Sequence, residues 1–149
     1  MTLKSTVESF LSEKTLAVAG VSRQGKKFGN AVFDDLKKKG YTVYPINPNA
    51  EKIKDDTCYP GPAALPKGVG GLVIVAPPAQ TESLVKEAFS AGIKKIWIQQ
   101  GAESEAALRF CRDSNIETVS KECILMFVEP VDSIHKFHRF IWKIFGKLP

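Results

Sequence analysis

Short apolar runs alternate with amphipathic stretches along most of this chain. Thr15-Leu16-Ala17-Val18-Ala19 ends at Gly20, Tyr41 to Ile46 ends at Asn47-Pro48, and Gly71-Leu72-Val73-Ile74-Val75 ends before Pro77-Pro78. Lys95-Ile96-Trp97-Ile98 ends at Gln99-Gln100-Gly101, and Ile116 to Val119 makes a fifth run. Brief continuous apolar runs closed by turn residues predict buried strands. Between them, Phe28 to Lys39 predicts a helix stopped by Gly40. Thr81 to Ser90 predicts another, with Leu84, Val85, Ala88 and Phe89 on one stripe. Glu103 to Ser114 is a third, with acids in its first turn, where the helix dipole favours them. Ser5-Thr6-Val7-Glu8 has the capping-box pattern and predicts a short helix from Thr6 to Ser12. Between Asn47 and Gly71 the rhythm breaks: Asp55-Asp56-Thr57 and Tyr59-Pro60-Gly61-Pro62 predict loop, with room for one short helix near Ala63-Ala64. Strands alternating with helices predict an α/β fold, a Rossmann-like doubly wound sheet of about five parallel strands.

Composition bounds this picture without changing it. With 149 residues and no repeat or linker-like tract, the chain is expected to form one domain over 1–149, its core over about 14–128. A hydrophobic fraction of 44% and a charged fraction of 25% exclude wholesale disorder. No apolar run approaches the ~20 residues of a spanning helix, and Met1-Thr2-Leu3-Lys4-Ser5 has no secretory apolar region. Cys58, Cys111 and Cys123 are odd in number and lack CxxC spacing, so neither disulfides nor a zinc site is expected, and the cytoplasm is the expected compartment.

Charge does change the picture. The formal net charge is +5, which suits nucleic acid, an anionic surface or a phosphorylated small ligand. Its distribution discriminates. Gly20 to Gly40 holds six basic residues (Arg23, Lys26, Lys27, Lys37, Lys38, Lys39) against Asp34 and Asp35. Val131 to Pro149 holds Lys136, Arg139, Lys143 and Lys147 against Asp132, and the remainder is slightly acidic. The last segment also carries Ile134, Phe137, Phe140, Ile141, Ile144 and Phe145 at helical spacing, which predicts an amphipathic helix over about 132–145. That helix has three readings: docking on its own sheet, a homodimer interface, or a membrane-surface element.

In a doubly wound sheet, ligands bind beyond the C-terminal ends of the strands. Here those ends are Gly20-Val21-Ser22-Arg23, Asn47-Pro48-Asn49, Ala76-Pro77-Pro78 and Gln99-Gln100-Gly101. The first is the most informative. A glycine-bearing loop, with Gly25 at its centre, leads from a strand into a helix whose free backbone N–H groups suit a phosphate. Ser22 adds a hydroxyl, and Arg23, Lys26 and Lys27 add charge.

Two familiar phosphate motifs are absent. Gly20 to Lys26 matches the P-loop core, but Lys27 stands where Ser or Thr would hold magnesium. The dinucleotide fingerprint fails because Ser22 follows two after Gly20, and Ile46-Asn47-Pro48 offers no acid to a ribose. An adenosine carrying an extra ribose phosphate fits this better, as in NADP and coenzyme A. His135 and His138 have no third ligand nearby in sequence, so no metal site is expected.

Ala19-Gly20-Val21-Ser22-Arg23 with Lys27-Phe28-Gly29 resembles the opening loop of the small coenzyme A-binding proteins. These are similar to the N-terminal domain of the succinyl-CoA synthetase α subunit. The likeness continues through Val43-Tyr44-Pro45-Ile46-Asn47-Pro48, Cys58-Tyr59-Pro60, Val75-Ala76-Pro77-Pro78, Ala91 to Trp97, Gln99-Gln100-Gly101 and Lys121 to Met126. The resemblance implies that Ser22, Arg23 and Lys27-Phe28-Gly29 wrap the phosphates of coenzyme A, with Gly20, Val21 and Gly25 shaping the loop. It implies that Asn47-Pro48 lies beside the adenosine, Ala76-Pro77-Pro78 lines the cleft, and Ile98-Gln99-Gln100-Gly101 meets the pantetheine arm. One departure is Asn49-Ala50, where the family often places a lysine after Asn-Pro.

The expected role is therefore a non-catalytic binding or regulatory module for coenzyme A or an acyl-CoA. The synthetase's phosphorylated histidine belongs to a second domain without counterpart here, and no nucleophile–base pair is legible. Cys111 and Cys123 read as packing residues. Cys58, expected in an exposed loop, is the one thiol placed to form a mixed disulfide with the ligand. The rivals are an NADP-dependent oxidoreductase using the same cleft, which lacks a substrate domain, and a nucleic-acid-binding protein, which the core-like periodicity of the aromatics disfavours.

Overall fold

The apolar runs form the central layer. In the computed structural model, which describes residues 2–128, five parallel strands make one sheet: β1 (Thr15–Ala19), β2 (Thr42–Ile46), β5 (Gly71–Ile74), β6 (Lys95–Gln99) and β7 (Glu117–Glu122), in the order β2-β1-β5-β6-β7. A small antiparallel hairpin, β3 (Lys52–Ile53) and β4 (Asp56–Thr57), stands apart from it. The helices are α1 (Leu3–Leu11), α2 (Phe28–Lys38), α3 (Pro78–Ser90) and α4 (Glu105–Asp113), with short 3₁₀ turns at Pro62–Ala64 and Ile124–Met126. The chain is thus an α/β Rossmann-like domain, as the sequence predicts. The terminal amphipathic helix predicted over about 132–145 lies outside the described residues.

Alternation along the strands divides the core into two layers. Leu16, Val18, Val73, Trp97 and Val119 pack under α1 and α2. Ala17, Ala19, Leu72, Ile74, Ile96 and Ile98 pack under α3 and α4. Both faces are buried, which is why the strands read as continuous apolar runs. Trp97 anchors the first layer: Phe10 meets it edge-on at 5.5 Å, and its Nε1 donates to the Glu122 carbonyl at 3.0 Å.

Several boundaries differ from the sequence reading, each for a physical reason. Helix α1 begins a turn early, because the Thr2 hydroxyl accepts from the Ser5 N–H at 3.1 Å and is the cap. Helix α3 begins at Pro78, not Thr81: proline fits the first helical position because the N–H it lacks has no intrahelical partner there. The terminal cap of α4 is Ser104. Strand β7 runs on to Glu122 through a bulge between Ser120 and Glu122, with Lys121 at φ 63°. Its polar end is invisible to a search for apolar runs because it lies at the edge of the sheet. The segment after Asn47 is also more ordered than expected. Ile53 is buried, and Lys37–Asp56 (2.5 Å) and Lys54–Asp34 (3.5 Å) tie the hairpin to α2.

Candidate functional site

The strand order reverses between β1 and β5, so the switch point lies where Ala19-Gly20-Val21 and Val75-Ala76-Pro77 leave the sheet side by side. Two glycines permit this junction. Gly20 has φ 107°, and a Cβ there would overlap the Val75 carbonyl, 2.8 Å from its carbon. Gly29, in the first turn of α2, lies against Gly20, whose carbonyl carbon would be 2.7 Å from an added Cβ. Helix and strand backbones therefore meet as they can only at glycine.

The loop from Val21 to Lys27 is held by two asparagines. Asn30 accepts from the Ser22 N–H at 2.8 Å and donates to the Ser22 carbonyl at 2.9 Å. Asn47 donates through Nδ2 to the Val21 carbonyl at 2.7 Å, and its Oδ1 accepts from the Asn49 N–H at 2.7 Å. Ser22 Oγ accepts from the Gln24 N–H at 3.1 Å.

Beyond this frame lies a cleft of about 480 Å³, walled by Gly20, Val21 and Lys27, by Ile46 to Asn49, by Val75 to Pro77, and by Ala79, Gln80, Ser83 and Leu84 of α3. An adjoining recess of about 490 Å³ shares Lys27 and Val75 to Pro77 and continues to Phe28, Gly29 and Gln99 to Ala102. The four strand ends thus line one continuous depression.

Helix α2 has no side-chain cap and no acid in its first turn, and Lys27 is its N-cap residue. Of the basic residues in this region, Lys37 pairs with Asp56 and Lys39 with Asp35. Arg23, Lys26 and Lys27 are exposed and make no ion pair among the described residues. The free N–H groups of α2, its dipole and these cations together suit an anion such as phosphate.

Most of the residues singled out in the sequence fall on this depression: Gly20, Val21, Lys27, Phe28, Gly29, Asn47, Pro48, Ala76, Pro77, Gln99, Gln100 and Gly101. Ser22, Arg23, Gly25 and Pro78 do not line it; the first three belong to the loop above it. Ile98 is fully buried among the α3/α4 layer, so it packs the core instead of facing a ligand. Gln99 is 4% exposed, and its Oε1 accepts from the Ile124 N–H at 3.1 Å, which fixes the strand end. The sequence reading missed Asn30 and the α3 lining, Gln80, Ser83 and Leu84. The signal for the latter was the Pro78 helix start.

Cys58 is 6% exposed, not a surface-loop thiol, and burial pushes its pKa up although its Sγ lies near the carbonyls of Asn47 (3.8 Å) and Tyr59 (3.9 Å). A raised pKa disfavours the thiolate that disulfide exchange needs, which removes the basis for a mixed disulfide. Cys111 is likewise buried with its pKa raised, first by desolvation. Among the described residues no cluster of His, Cys, Asp and Glu suits a metal, and no helix is long and apolar enough to cross a membrane.

Comparison with known proteins fits this geometry. The family model for the CoA binding domain matches residues 14–129. The ADP-forming acetate–CoA ligase II of Archaeoglobus fulgidus is 35% identical over 94 residues, which are 62% of this chain and 14% of the ligase. A conserved hypothetical protein from Pyrococcus furiosus superposes with TM-score 0.74 at 39% identity, covering 77% of this chain and 99% of that one. The dinucleotide-forming acetyl-coenzyme A synthetase 1 of Candidatus Korarchaeum cryptofilum superposes with TM-score 0.67 at 25% identity, covering 75% of this chain and 27% of the synthetase. The chain thus spans only a fraction of the ligase and the synthetase. The matched region, taken with the glycine-built switch point, makes this chain a member of the CoA binding domain family.

Proposed function

We propose that this protein binds coenzyme A or an acyl-CoA in the depression at the β1/β5 switch point, as a non-catalytic binding or regulatory module of the cytoplasm. The ADP phosphates rest on the Gly20–Lys27 loop and the start of α2. The adenosine lies beside Asn47-Pro48, and the pantetheine arm crosses Ala76-Pro77 toward Gln100. The observation that carries this reading is the start of α2, uncapped and free of acids, opening beside Arg23, Lys26 and Lys27. The cleft lining supports a holding role, since Asn49, Gln80, Ser83 and Lys27 offer hydrogen-bonding groups and one cation in a groove that is polar and apolar in near-equal measure.

Thermal unfolding with coenzyme A, acetyl-CoA, NADP, NAD, ATP and single-stranded DNA in parallel tests the reading. A ligand at 100 times its Kd adds ~2.7 kcal/mol to stability, a rise of roughly 5–10 °C for a domain of this size. Coenzyme A is expected to give that rise. A shift with NADP and none with coenzyme A would make the protein an oxidoreductase candidate instead.

A further inference from the structure

The depression at the strand ends is not uniform. In the cleft beside Asn47-Pro48, polar and apolar surface are near-equal, whereas apolar surface predominates in the recess of about 490 Å³ at the end of β6. The walls of that recess include Phe28, Pro77 and Ala102. Phe28 is half-exposed at the first position of α2, so its ring gives the recess an apolar surface that the fold itself leaves open. Cleft and recess share Lys27 and Val75 to Pro77, so a ligand arm crossing Ala76-Pro77 passes from one into the other.

Charge is distributed unevenly along the same path. Lys27 is the one charged residue among those lining the recess, and it stands on the wall shared with the cleft. At the far end, the Gln99 carboxamide oxygen already accepts from the Ile124 N–H, which leaves Gln100, an exposed residue, to bring an uncharged amide. The charge placed at that end is negative. Glu103 Oε2 accepts from the Gly101 N–H at 3.0 Å, which holds the carboxylate beside a lining residue. Glu103 is half-buried and forms no ion pair among the described residues.

We propose, resting on the coenzyme A reading above, that this recess is an acyl pocket for an uncharged acyl group carried as a coenzyme A thioester, and that Glu103 turns away acyl groups ending in a carboxylate. An apolar acyl chain gains by leaving water against Phe28, Pro77 and Ala102. A terminal carboxylate would lose hydration there with no cation but Lys27, which lies on the phosphate side. It would also meet Glu103 as a like charge. Attraction of one ligand and repulsion of its competitor act in the same direction, and selective sites use both. Free coenzyme A ends in a thiol and leaves the ring of Phe28 in water, so it binds more weakly than a thioester that covers the ring.

Calorimetric titration of the full chain with coenzyme A, butyryl-CoA and succinyl-CoA tests this. The two acyl groups have equal carbon chains and differ at the end, methyl against carboxylate. Butyryl-CoA is expected to bind about tenfold tighter than coenzyme A, and succinyl-CoA about tenfold weaker than butyryl-CoA. Glu103→Gln keeps an acceptor for the Gly101 N–H and removes the charge, and is expected to narrow the gap between succinyl-CoA and butyryl-CoA about fivefold. Phe28→Ala is expected to bring butyryl-CoA and coenzyme A to within about twofold of each other. Each comparison is a ratio between ligands on one protein, so a variant that weakens all coenzyme A binding still gives a result, and circular dichroism checks that both variants are folded. Equal affinities for coenzyme A and butyryl-CoA would overturn the acyl pocket and leave the coenzyme A reading standing. Succinyl-CoA binding as tightly as butyryl-CoA would do the same, and an unchanged ratio in Glu103→Gln would overturn the role of Glu103. Absence of binding by all three would overturn the coenzyme A reading itself, and the pocket with it.

Discussion

Helices α2 and α4 both start just beyond the C-terminal ends of sheet strands, yet of the two only α4 caps its own start. Helix α4 satisfies itself. The Ser104 hydroxyl accepts from the Ala107 N–H at 3.1 Å, and Glu105 brings a negative charge into the first turn. Its dipole is already answered. Helix α2 has neither device, and its N-cap residue is a lysine. In an isolated helix that arrangement would be unfavourable, since a cation beside the positive end of the dipole destabilises it. A bound phosphate reverses the sign, because the dipole and the lysine then act on the same negative charge. The same topology therefore gives one helix start that is structural and one that is left unsatisfied, and the unsatisfied one faces the switch-point cleft.

The sharpest way to break this contrast is at the glycine that brings α2 to the sheet. Gly20→Ala places a Cβ onto the Val75 carbonyl at a backbone angle of φ 107°, unfavourable for any L side chain. Urea denaturation is expected to show a loss of ~3 kcal/mol or more, with coenzyme A binding lost under conditions where the protein remains folded. Wild-type stability in this variant would mean that the loop and β5 do not meet as described.

How much of this was legible in the sequence follows from the same contrast. The strands and the glycine loop announced themselves, because buried parallel strands are apolar on both faces and the loop breaks that run with Gly20 and a knot of basic residues. The charge count could not tell which cations were engaged. Lys37 and Lys39 are near Lys27 in sequence but lie at the far end of α2, bound to Asp56 and Asp35. Residues that position the site were hidden for another reason. Asn30 looks like any polar residue on a helix until the loop folds back to place Ser22 against its amide. Pro78 reads equally well as the end of a strand or the first residue of a helix, and the two assignments differ in whether Ala79 and Gln80 belong to the helix that walls the cleft. Ile98 misleads in the opposite sense: a match at a strand end does not say which way the side chain points, and this one points into the core.

The charges themselves are the next largest effect. Arg23→Ala with Lys27→Ala removes two exposed cations from the mouth of α2, each worth ~0.5–1 kcal/mol to a bound anion at low salt. Calorimetric titration with coenzyme A is expected to show affinity reduced about tenfold. The salt dependence of binding should flatten, because fewer screened contacts remain. Removing this charge should leave stability without ligand unchanged or slightly raised, since lysine at the start of a helix opposes the dipole. Unchanged affinity would move the phosphates away from this loop.

The smallest expected effect is the control on the other helix, and it separates a site from a mere helix start. Ser104→Ala deletes the α4 cap and is expected to lower stability by ~1 kcal/mol. The side chain that it removes accepts from Ala107 within its own helix and lines neither part of the cleft. Coenzyme A affinity should therefore match the wild type once both proteins are measured well below their unfolding temperatures. If affinity fell together with stability, the start of α4 would belong to the ligand site, and its cap and Glu105 would have to give way when the ligand binds. If stability held while affinity held, the cap would be idle, and the self-sufficiency of α4 would rest on Glu105 alone. The expected result, stability lost and affinity kept, is the reverse of that for Arg23 and Lys27. Only that crossed pattern assigns the anion to α2 by the chemistry of its first turn and not by its position at the top of the sheet.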